Sequence, residues 1–83
     1  MDNPKYIIHD GVPYIFPAFV DHSEFARRNM LHSEDIQGAG FVRLYDGDPM
    51  CYGESGSLGI KSRDEVDTER VKKLFKMGDY LYS

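Results

Sequence analysis

The sequence predicts a small α+β domain of order ββαββα, in which two Asp-Gly hairpins form a four-stranded antiparallel sheet and both helices pack on one face. Three observations point there. The stretch "HDGVPYIF" at His9–Phe16 returns as "YDGDPMCY" at Tyr45–Tyr52. Each copy centres on Asp-Gly between apolar runs, the strongest short hairpin signal, because a type I′ turn needs positive φ at both central residues. Each copy is then followed by an acidic stretch with the spacing of a helix start.

With 83 residues the chain suits a single domain spanning 1–83, with pseudo-repeat units at about 5–31 and 41–77. A hydrophobic fraction of 41%, with six tyrosines and five phenylalanines, is enough for a thin core and unlike a disordered composition.

The first hairpin runs from Lys5 to Phe16 and the second from Phe41 to Tyr52. Counting outward from a two-residue loop fixes the pairing, and the period of two sorts the side chains. Tyr6, Ile8, Pro13 and Ile15 share one face, and Val42, Leu44, Pro49 and Cys51 share the corresponding face of the second hairpin. Both sets are almost wholly apolar, so this is the expected core face. Pro13 and Pro49 fall opposite Ile8 and Leu44, where the missing N–H points away from the hairpin partner. Proline is tolerated there only at a sheet edge or a bulge, so the second and fourth strands are expected to be edges.

After the first hairpin, Asp21 and Glu24 have capping-box spacing, and a short helix is expected from Ser23 to Leu31 carrying Phe25, Ala26 and Met30. A polar connection, His32–Gly40, follows. After the second hairpin comes the loop "GESGSLGIKSR", Gly53–Arg63, and then a helix with Ser62 and Glu65 at capping-box spacing. Its acids crowd the start and Lys72, Lys73 and Lys76 the end, which complements the helix dipole. Val71, Leu74 and Phe75 form its apolar stripe, and Gly78 is a suitable C′ stop. The tail, residues 79–83, is open between a short strand and a packed anchor.

The chemistry expected is sparse. His9, His22, His32 and Cys51 lack the paired spacings that put metal ligands on one side of an element, so no metal and no cofactor is expected. Cys51 lies on the core face, where an unpaired thiol behaves as a small hydrophobe. Turn geometry accounts for Asp10 and Asp46 without acid–base work. No acid, base and nucleophile converge, and an enzyme is not expected.

Two surfaces remain. In the Gly53–Arg63 loop, Ser55, Ser57, Lys61, Ser62 and Arg63 could hold an anion with backbone N–H groups; against that, Leu58 and Ile60 dock on the core, the glycines permit the turns and Ser62 caps the helix. The outer sheet face carries Lys5, Ile7, His9, Val12, Tyr14 and Phe16, then Phe41, Arg43, Tyr45, Asp48, Met50 and Tyr52. That is apolar for a solvated face, and a large exposed apolar area marks an interaction site. The interface residues expected are Tyr14, Phe16, Phe41, Arg43, Tyr45, Met50 and Tyr52.

The expected occupant of this face is a second copy, making a homodimer; a different protein partner comes next. Single-stranded nucleic acid stacking on the aromatics stands third, since 10 basic against 14 acidic residues and a net charge of −4 disfavour phosphate binding. A helix or the tail folding over the face is the competing reading. One cysteine and the lack of a leader or spanning stretch indicate a protein of a reducing cytoplasm with no membrane contact. The function expected is a non-enzymatic interaction protein that self-associates through its aromatic face; the alternative is a nucleic-acid or anion-binding module.

Overall fold

Two turns with left-handed backbone organise the sheet. The computed structural model describes residues 2–77, with side chains as far as Leu74. In it φ is 49° at Asp10 and 80° at Gly11, then 52° at Asp46 and 83° at Gly47, the paired positive values of a type I′ turn. Strands β1 (Lys5–His9) and β2 (Val12–Phe16) pair across the first turn, and β3 (Ile36–Tyr45) and β4 (Asp48–Tyr52) across the second. Ile8 faces Pro13 and Leu44 faces Pro49, the register that the sequence predicts.

Antiparallel pairing of β1 with β3 joins the hairpins into one sheet of order β2-β1-β3-β4. The two prolines therefore lie on the two margins, as their missing N–H groups require.

The α+β class and the four-stranded antiparallel sheet are as expected, but the helices divide between the faces. Tyr6, Ile7 and Ile8 are all fully buried, and consecutive strand residues point to opposite sides, so both faces of β1 need cover. Helix α1 (His22–Arg28) lies on the Ile7 side, with Phe16, Ala26, Leu31, Ile36 and Ala39. Helix α2 (Asp64–Met77) lies on the Tyr6 and Ile8 side, where Val71 meets Val42 and Cys51. A rotation that exchanges antiparallel β1 and β3 keeps each face on its own side, so the likeness of the two units is confined to their hairpins.

The Gly53–Arg63 loop contains a small ladder, β5 (Glu54–Ser55) with β6 (Ile60–Lys61). Leu58 and Ile60 pack from it onto the α1-side core, as expected.

Part of the expected connection is strand. Only Ser33–Asp35 forms a 3-10 turn, and Ile36–Gly40 pairs with β1. Its glycines signal a loop in sequence, but here they permit close approach. A Cβ on Gly38 would collide with the Asp67 carboxylate, and one on Gly40 with the Tyr52 carbonyl.

Neither capping box forms as expected. Asp21 caps α1 without a side-chain bond and lies 3.9 Å from Lys5 Nζ, while Glu24 pairs with Arg27 and Arg28. Helix α1 stops at Arg28 because Met30 turns left-handed, φ 56°, and Leu31 N–H donates to the Ala26 carbonyl at 2.8 Å, a Schellman closure. At α2, Asp67 rather than Ser62 serves the helix start. The Phe75 contact, the Gly78 stop and the 79–83 tail lie outside the described residues.

Candidate functional site

The Gly53–Arg63 loop binds an anion that belongs to the chain itself. Asp67 is fully buried. Its Oδ2 accepts from the Tyr6 hydroxyl at 2.5 Å and from Arg63 N–H at 2.9 Å, and its Oδ1 from Arg63 Nε at 3.1 Å and Nη2 at 2.8 Å. Having spent its proton on Asp67, the Tyr6 oxygen lies 2.7 Å from Ser62 Oγ, which can donate to it. Burial first, then the Asp67 bond, raises the phenol well above its ordinary range.

The other loop hydroxyls have similar duties. Ser55 is buried and its Oγ accepts from Leu58 N–H, while Ser57 Oγ accepts from Ser23 N–H. Lys61 alone of the five expected anion-binding side chains points into solvent without such a bond.

The outer sheet face is half covered. Phe16, 4% exposed, stacks on Phe25 of α1 with centroids 4.1 Å apart, so it is core rather than surface. Buried His22 stands edge-on between Phe16 and Phe41, and its Nε2 is 2.9 Å from the Gly40 carbonyl. With that carbonyl as acceptor, the ring is a neutral donor, and burial lowers its pKa from the usual value. Tyr14 is half-buried against Phe25, and Tyr52 is half-buried with its hydroxyl accepting from Asn3 Nδ2 at 2.7 Å.

On the second hairpin the face opens beyond Phe41, where β3 outruns β1; on the first, Val12 is half exposed. Phe41 is the last β3 residue paired with β1, and past it Arg43, Tyr45 and Met50 are exposed. Leu44, expected in the core, is 63% exposed, as is Tyr45. Sequence reasoning missed Leu44 because alternation gives a side chain's face but not how far a neighbouring layer extends along the strand.

A groove of about 430 Å³ runs between β4, at the sheet margin, and the first half of α2. Met50, Cys51, Tyr52 and Thr68 line it with Asp64, Glu65, Glu69 and Arg43. Arg43 lies over the Tyr52 ring, 5.4 Å from its centroid. Thr68 Oγ1 accepts the Cys51 N–H at 2.9 Å. The Cys51 thiol is buried, as expected, and that burial pushes its pKa up to about 12. No sequence signal marked this groove, because its two walls are distant along the chain.

His22 and Cys51 lie on opposite sides of the sheet, so the imagined His/Cys cluster is not assembled. Among the described residues no group of three or more His, Cys, Asp or Glu side chains could hold a metal ion, and no helix is long and apolar enough to cross a membrane. Compared with protein-family models, curated proteins and solved structures, the chain matches none of them.

Proposed function

We propose that this protein is a non-catalytic interaction module that self-associates through the free end of the β3–β4 hairpin. The observation carrying this reading is the exposed apolar group Leu44, Tyr45 and Met50 on one hairpin, where β3 has no strand neighbour on its β1 side. Both faces of the hairpin end present apolar side chains, and apolar area of this kind marks an association surface. The core is shared between two thin layers, which gives a small domain a stability motive for pairing. Tyr6, His22 and Cys51, the groups with displaced pKa values among the described residues, are buried in the packing, and this supports a binding rather than catalytic role. An unpaired buried cysteine suits a reducing cytoplasm.

Sedimentation equilibrium over a range of concentrations tests the reading. The parent should be dimeric and Tyr45→Asp monomeric with an unchanged circular dichroism spectrum, since an unpaired charge would be buried at the seam. A parent still monomeric at the highest concentration overturns it.

A further inference from the structure

We propose that the groove between β4 and α2 binds a basic segment of a partner protein. A lysine or arginine would lay its aliphatic stem over Met50 and Tyr52 and bring its charged head to Glu65 and Glu69. The inference goes beyond self-association and does not rest on it; Met50 belongs to both surfaces, so a seam that buried it would compete with the partner.

The groove is an acceptor-rich trough. Counting from the type I′ turn, Pro49 and Cys51 are the β4 residues whose backbone groups point out of the sheet. Pro49 has no N–H, and the Cys51 N–H is already taken by Thr68. The outward margin of β4 therefore offers carbonyl oxygens and no free donor, which disfavours an added strand and favours a ligand that brings donors of its own.

Charge gives the same answer from the opposite wall. Asp64, Glu65 and Glu69 line the groove, and among the described residues none of them is in an ion pair. Glu65 and Glu69 are four apart on α2, where like charges repel. A cation between them would relieve that repulsion. The apolar floor holds the stem of such a side chain, as long cationic residues bury their methylenes and keep the head polar. Arg43, stacked on Tyr52, repels a cation at its own end and directs the head towards α2.

A second copy is poorly equipped to be this ligand. Arg27 and Arg28 pair with Glu24, Arg63 with Asp67, Lys5 with Val20 and Asp21, and Arg70 with Gly11; Lys61, Lys72 and Lys73 have no such partner among the described residues, but Lys72 and Lys73 follow the acidic first half of the same helix that walls the groove. The chain carries net charge −4, so a foreign basic segment has the better complementarity.

Fluorescence anisotropy with a short labelled peptide of alternating lysine and leucine, titrated with the full chain at low salt, tests this directly. Binding is expected for that peptide and not for its glutamate–leucine counterpart. Glu65→Gln with Glu69→Gln should weaken binding roughly tenfold, the scale of two exposed ion pairs. Glu34→Gln with Asp35→Asn, which changes net charge equally at the distant 3-10 turn, should leave affinity within about twofold. Equal weakening by both pairs would reduce the effect to overall charge and overturn the proposal. So would failure of the lysine peptide to bind, or peptide affinity that falls as protein concentration rises, which would put a second copy in the groove.

Discussion

His22 shows how one side chain can set the response of the fold to acid. Its ring is wedged between Phe16 and Phe41, and its pKa is lowered below 6.5, first by burial and with a smaller contribution from Lys5. Above that value both the folded and the unfolded chain hold the ring neutral, and it adds no pH dependence. Below it the unfolded chain binds a proton that the folded chain refuses, so stability falls with acid until the lowered pKa is reached. The slope from this residue is at most about 1.4 kcal/mol per pH unit. Urea unfolding of the parent and of His22→Gln between about pH 7 and pH 5 should show the steeper loss in the parent. Parallel lines would mean that the ring is protonated in place.

The elements show which parts of the fold were legible. Asp-Gly gave away both turns and, through them, the register of both hairpins, because turn geometry is local chemistry. Pro13 and Pro49 gave away the margins, since a missing N–H has only a few tolerable positions. The start of β3 was hidden: Gly38 and Gly40 are glycine because Asp67 and the Tyr52 carbonyl press against them, and those neighbours are far away in sequence. The covering of Ile7 and Phe16 was hidden too, since the pattern of a strand shows that a face is apolar but not what covers it. Of the candidate site, Arg43, Tyr45 and Met50 were read as exposed and are; the groove wall on α2 was beyond reach.

The end of α1 supplies a prediction at the same scale. Met30 holds φ at 56° with its side chain exposed, so it bears the cost of left-handed backbone without burying its apolar surface. Met30→Gly should raise stability by about 0.5–1 kcal/mol, read as a higher urea midpoint with an unchanged slope. A lower midpoint would show that Met30 contributes contacts worth more than the strain.

At the scale of the whole molecule, β1 makes two cores into one unit. Tyr6 and Ile8 serve the α2 side and Ile7 the α1 side, so neither layer can come apart without baring the strand that the other needs. Unfolding should therefore be a single transition. Ile7→Ala, which touches only the α1 side, should lower the midpoint of the whole chain by about 2–5 kcal/mol in stability. Far-ultraviolet and tyrosine near-ultraviolet signals should remain superimposed. Separate transitions in the variant would show that the layers fold independently.

The prolines at both margins also bear on how large an assembly of this protein can become. Growth of a fibre requires each newcomer to find a row of amide donors at the end of the sheet before it. Here β2 interrupts that row with Pro13, and β4 with Pro49 and with a Cys51 amide that Thr68 holds. Strand addition finds no free amide on β4 and on β2 only that of Ile15, opposite Tyr6, so neither end offers a continuous row, and aggregates of the native protein should stay finite and decline to seed. Replacing Pro13 and Pro49 together by Val, with Thr68→Val to release the amide, should turn quiescent solutions into ones that nucleate thioflavin-binding fibrils. Continued quiescence at high concentration would place the safeguard elsewhere than in the three side chains that close the ends of this sheet.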